Sequence, residues 1–178
     1  MAGLRGEERA WVRGAQAGSL ADLEALFREH WPRAHRAAYL VVHDAAAAED
    51  IAQEAFLAAI RSLDRFDRRR PFGPWLHRIV VNRAIDWARS RTLRAEVGDG
   101  ALAAVADGER LRRGFSPPVV AALAALTPEQ RAVIVLRHLL EYTPGEIAEL
   151  LELPRGTVNS RLRRALDDLA DRLEDDRP

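Results

Sequence analysis

The chain has 178 residues, 48% apolar and 30% charged, which fits one ordinary globular domain or two small ones and excludes a disordered chain. All 27 basic residues are Arg, and 27 acids balance them to a net charge of zero. With no Cys, no H-E-x-x-H pattern among the five His and no apolar run near ~18 residues, thiolate chemistry, zinc-protease chemistry and membrane insertion fall away. No catalytic residue, metal site or cofactor is expected. Met1-Ala2-Gly3-Leu4-Arg5-Gly6-Glu7-Glu8 lacks a signal-peptide core, so a cytoplasmic location is expected.

Apolar residues recur with a helical period and no alternating run points to a strand. The expected fold is all-α, with two small helical domains joined by a flexible linker. The helical blocks span about 19–91 and 118–173. Between them, 92–117 carries Gly98, Gly100, Gly108, Gly114 and Pro117-Pro118, with room for a short helix near 102–106. The domain bounds are then 1–91, a linker at 92–117, and 118–178.

In the first block, Ser19-Leu20-Ala21-Asp22 reads as a helix start, and Leu20, Leu23, Leu26 and Phe27 form an apolar stripe. Pro32 predicts a break near Trp31, after which Ala34, Ala37, Ala38 and Val41 resume the pattern. Asp44 is placed to cap a helix over about 46–63. Within it, Ala52, Phe56, Ala59 and Leu63 share an inward face. Asp50, Gln53, Glu54 and Leu57 share another face, an acidic patch with an apolar centre. It is either a dock for a basic helical partner or a solvated face.

Next come Phe66-Asp67-Arg68-Arg69-Arg70-Pro71-Phe72-Gly73-Pro74-Trp75 and a helix over about 74–91. Over 61–94 there are 10 Arg against 3 acids, a net of +7, whereas 1–60 holds 6 against 9 and is net −3. Arginine takes phosphates, and aromatic rings hold bases drawn out of a duplex, so the loop suits nucleic acid. The alternative is a solvated basic face, with Phe72 and Trp75 stapled into the core. Leu76, Ile79, Val80 and Trp87 read as core. Arg78, Asn82, Asp86 and Arg89 make a second stripe, in which Asn82 has the donor and acceptor to read a base edge.

In the second block, Thr127-Pro128-Glu129-Gln130 and Thr143-Pro144-Gly145-Glu146 are capping boxes with Pro at the first helical position. Leu153-Pro154-Arg155-Gly156 reads as a turn, followed by a long helix over about 157–173. Short helix, turn and long helix make a helix-turn-helix, or else an ordinary helical hairpin. Val158, Leu162, Ala165 and Leu169 point inward. Arg155, Thr157, Asn159, Ser160, Arg163 and Arg164 gather near the start of the long helix, where side chains reach major-groove bases and phosphates. Here 131–166 holds 6 Arg against 4 acids, net +2. The end from Asp167 holds 2 against 6, net −4.

Glu49-Asp50-Ile51-Ala52-Gln53-Glu54-Ala55-Phe56, then Phe72-Gly73-Pro74-Trp75-Leu76-His77-Arg78-Ile79-Val80-Val81-Asn82-Arg83-Ala84-Ile85-Asp86, then the helix-turn-helix, together resemble the extracytoplasmic-function (ECF) sigma factors. The resemblance implies a bacterial RNA polymerase sigma factor with promoter DNA and core RNA polymerase as partners, no enzymatic activity, and an anti-sigma factor as a further partner. It implies that Asp50, Gln53, Glu54 and Leu57 face the polymerase. Phe66, Arg68, Arg69, Arg70, Phe72, Arg78 and Asn82 would serve the downstream (−10) box and its flipped base, and the second block the upstream (−35) box. Asn159 stands where Arg or Lys is commoner, Pro74 where a backbone donor is commoner. The linker's 26 residues reach roughly 86 Å at about 3.3 Å each, more than the roughly 58 Å between boxes about 17 base pairs apart. The rival reading is a stand-alone helix-turn-helix regulator with an unrelated helical sensor domain.

Overall fold

The computed structural model describes residues 2–96 and 115–175, and every regular element among them is helical. The first block comprises α1 (Ala2–Gln16), α2 (Leu20–Val42), α3 (Ala45–Ser62), a 3₁₀ turn (Leu63–Arg65) and α4 (Phe72–Glu96). The second comprises α5 (Pro117–Ala124), α6 (Pro128–Ile134) continued by a π-helical turn (Val135–Leu139), α7 (Pro144–Leu151) and α8 (Arg155–Asp175).

Local chemistry sets most helix starts. Ser19 and Asp44 side chains accept from the N–H groups of Asp22 and Ala47. Thr127 with Gln130, and Thr143 with Glu146, form reciprocal capping boxes. Two boundaries differ from expectation. Arg155 and Gly156 already belong to α8 rather than to a turn, and α4 extends into the expected linker as far as Glu96. The expected short helix near 102–106 lies outside the described residues.

Pro32 does not break α2, which runs unbroken from Leu20 to Val42. A proline inside a helix costs about 3 kcal/mol. Beyond it Leu40, Val41 and Val42 are all buried, at roughly 1.5–3 kcal/mol each, so packing outweighs the lost hydrogen bond. The expected stripe on α2 is only partly inward. Leu26 is 1% exposed, but Leu20 is 79% and Phe27 41% exposed.

Helix α1 had no counterpart in the expected elements. It packs on α2 through Trp11, Val12 and Ala15, and Gly18, at φ +89, turns the chain between the two. The two blocks share a core, with α6 lying against α2 and α4, and α7 against α4.

Candidate nucleic-acid interface

The acidic patch on α3 lies outward as its spacing implied. Ile51, Ala52, Ala55, Phe56 and Ala59 are buried, while Asp50, Gln53, Glu54 and Leu57 are exposed. Gln53 Nε2 donates to Glu49 Oε1 at 3.1 Å, and Glu54 Oε2 accepts from Arg83 Nη1 of α4 at 2.6 Å. The apolar centre is wider than Leu57. Ile60, Phe27 and Leu20 are also exposed and border a groove floored by Leu23, Phe56 and Leu63. Apolar spacing alone does not distinguish such a groove from core.

The basic loop is organised by Asp67. Its Oδ1 accepts from Arg69 N and Arg69 Nε, both at 3.0 Å, and its carbonyl accepts from Arg70 N at 2.9 Å. The Arg69 side-chain hydrogen bond holds the Asp67 carboxyl below its usual value. Arg68, Arg69 and Arg70 are thereby displayed on a tight turn, all exposed. The aromatics lie elsewhere than a base-stacking loop requires. Phe66 is 8% and Phe72 3% exposed. Their rings pack on Trp75 at 4.6 and 5.6 Å between centroids, and Trp75 is half-buried. Phe66 and Phe72 are the floor of the loop rather than its surface, because burying two rings against a third outweighs leaving them wet.

On α4 the stripe of Arg78, Asn82, Asp86 and Arg89 meets the second block. Arg78 pairs with Glu152 at the end of α7, and Arg89 Nε lies 2.5 Å from Glu129 Oε1 of α6. Burial pushes the Glu129 carboxyl up, but Arg89 more than reverses this and holds it low. Asn82 lies between these contacts along the stripe, half-buried. Deeper in the same junction, His77 Nδ1 and Tyr142 Oη are 2.7 Å apart. Burial, then the nearby His30 and Arg33 charges, push His77 down to about 3, and burial raises Tyr142. At neutral pH an uncharged ring therefore meets a protonated phenol. Since they are 65 positions apart, no local pattern announces this contact.

The candidate reader on α8 is open. Val158, Leu162 and Ala165 are buried, and Leu169 is half-buried. Arg155, Asn159, Arg163 and Arg164 are exposed around the helix start; Thr157 and Ser160 are half-buried, with Ser160 Oγ donating to Thr157 O at 3.0 Å. Among the described residues none of Arg155, Arg163 and Arg164 has a carboxylate partner. Among the described residues no group of three or more His, Asp or Glu could hold a metal ion, and no helix is long and apolar enough to cross a membrane.

Residues 26–94 match the Sigma-70 region 2 family, and residues 118–169 match Sigma-70, region 4. The ECF RNA polymerase sigma factor SigW of Bacillus subtilis is 33% identical, over 92% of this chain and 94% of its own. The ECF sigma factor SigM of Mycobacterium tuberculosis is 34% identical, over 86% and 78%. Among solved structures, CnrH in complex with the cytosolic domain of CnrY superposes with a TM-score of 0.72 at 28% identity, covering 96% of this chain and 99% of that one. The sigma factor RpoE of Bartonella quintana, solved with the anti-sigma factor NepR, shares the fold at a TM-score of 0.71 and 23% identity, over 89% and 100%.

Proposed function

This chain belongs to the extracytoplasmic-function family of RNA polymerase sigma factors, which direct promoter recognition and transcription initiation, and we propose how its surfaces divide that work. The α3 face of Asp50, Gln53, Glu54 and Leu57 docks core RNA polymerase. The 68–70 turn, Arg78 and Asn82 take the downstream box, with Phe66 and Phe72 as the buried floor that sets the turn's position. Arg155, Thr157, Asn159, Ser160, Arg163 and Arg164 read the upstream box in the major groove. The observation that carries this division is the order of the two matched regions, 26–94 and 118–169, which hold the acidic face and both basic readers in turn. A stand-alone regulator would need an unrelated first domain, and 26–94 is region 2 instead.

The chain acts by binding in the cytoplasm and leaves bond chemistry to the polymerase. CnrH was solved with the cytosolic domain of CnrY and RpoE with the anti-sigma factor NepR, and an anti-sigma factor is proposed as a partner here too.

Docking is tested with Glu54→Arg. The Glu54–Arg83 pair is exposed and worth at most about 1 kcal/mol, so the helicity should survive. A like charge facing a basic partner costs several kcal/mol, so co-purification with core polymerase should vanish. Normal co-purification at normal helicity would sink the assignment.

A further inference from the structure

Helix α1 lies outside the matched region 26–94, yet its polar side chains fasten both ends of the proposed downstream reader. Gln16 Nε2 donates to Leu63 O at 2.8 Å and Phe66 O at 3.0 Å, where the loop begins. Where the loop ends, Glu8 Oε1 accepts from Phe72 N at 2.8 Å. Phe72 is the first residue of α4, and the residue before it, Pro71, has no side-chain acceptor to cap the helix. A carboxylate from α1 supplies that cap, where the helix dipole favours negative charge. The other Glu8 oxygen is 3.1 Å from His30 Nε2. Burial pushes the Glu8 carboxyl up, but His30 and the Phe72 N–H outweigh burial and keep it ionised at neutral pH. Eight residues at 1.5 Å each set the two anchors about 12 Å apart on one stiff helix.

Two further features hold α1 in register. A Cβ on Gly14 would sit 1.8 Å from Asp22 Oδ2, so the helices meet at a position where only glycine fits without moving that side chain. Ser19 N, at the start of α2, donates back to Gly14 O at 2.9 Å.

We infer that Glu8 and Gln16 are positioning residues for downstream-box recognition, with α1 acting as a splint across the 63–72 loop. They touch no DNA. They fix the backbone that carries Arg68, Arg69 and Arg70 and the start of the helix that carries Asn82, so that less loop entropy is lost on capturing a base. The inference rests on the proposed role of that loop.

The test uses reconstituted holoenzyme on its own promoter, located by mapping transcript 5′ ends. Initiation is compared between the native promoter and versions substituted in one box at a time, for Glu8→Ala, Gln16→Ala, Glu8→Gln and Asn82→Ala. Downstream discrimination should fall about tenfold in Glu8→Ala and Gln16→Ala, with upstream discrimination and polymerase binding kept. Glu8→Gln retains an acceptor for the Phe72 N–H and should restore it. Hydrogen exchange at the Phe72 amide should quicken about tenfold in Glu8→Ala and return to normal in Glu8→Gln. Downstream discrimination that is unchanged, or that falls equally at both boxes, overturns the splint. If Asn82→Ala flattens discrimination while the α1 variants do not, only the splint fails. If Asn82→Ala also leaves it intact, the proposed downstream reader has failed and the splint falls with it. Should Glu8→Ala not fold, Gln16→Ala decides.

Discussion

The helices that carry the two candidate readers differ in how their arginines are partnered. The 61–94 stretch is net +7, yet on α4 Arg78, Arg83, Arg89 and Arg91 are paired with Glu152, Glu54, Glu129 and Asp44. The 131–166 stretch is only net +2, yet Arg155, Arg163 and Arg164 on α8 have no carboxylate partner among the described residues. Available charge depends on which carboxylates the fold brings within reach. The α8 reader is ready for DNA as it stands. On α4, a phosphate must displace Glu152 from Arg78 and Glu129 from Arg89. Such partly exposed pairs are worth at most about 1 kcal/mol each, so that exchange is easy once the blocks part. The buried His77–Tyr142 contact is the stronger tie.

Acid should destabilise the fold through the buried His77 and has the largest expected effect. His77 has a folded value of about 3 against 6.5 unfolded, so between those values the unfolded chain binds the extra proton. Stability then falls as pH drops, by about 1.4 kcal/mol per unit, or about 2 kcal/mol between pH 6.5 and 5. His30 and Arg33 oppose protonation of the ring and Glu8 favours it. His35 is also lowered by burial and adds a slope of the same sign. Urea unfolding of the wild type and His77→Gln over that range isolates the His77 share. Equal slopes would show that the ring is not the group burial holds neutral.

A smaller effect should sharpen the contrast from the α8 side. Arg163→Ala removes an unpaired, exposed cation, so stability should change by less than about 0.5 kcal/mol. Discrimination at one or two base pairs of the upstream box should drop by about 1–3 kcal/mol, read by holoenzyme titration of box variants at one stated salt. Uniform weakening across all variants would make Arg163 a phosphate contact.

The smallest change is expected from Glu152→Gln, which frees Arg78 and should cost at most about 1 kcal/mol in thermal unfolding. A larger loss would mean that this exposed pair, and not His77–Tyr142, holds the blocks together.

Legibility followed distance along the chain. The caps at Ser19, Asp44, Thr127 and Thr143 were readable because each joins residues three apart. So was the inward stripe of α8, a matter of period alone. Helix α1 had a readable signal in Trp11, Val12 and Ala15, which recur at helical spacing. Phe66 and Phe72 were misplaced because aromatics beside arginines look alike whether they face water or one another. Leu20 and Phe27 were misplaced because apolar period marks a face without saying what covers it.

By itself the amino-acid order determined most of the helices, the capped starts at Ser19, Asp44, Thr127 and Thr143, and the motifs of the sigma family, all of which arise within a few turns of one chain segment. Only the tertiary structure decided which arginines are free, which rings are floor, and how α4 is capped. Its cap comes from Glu8, 64 residues upstream of Phe72. Pairings over such distances depend on how whole helices pack, and packing energy is summed over many side chains, so no single stretch of sequence carries their signature.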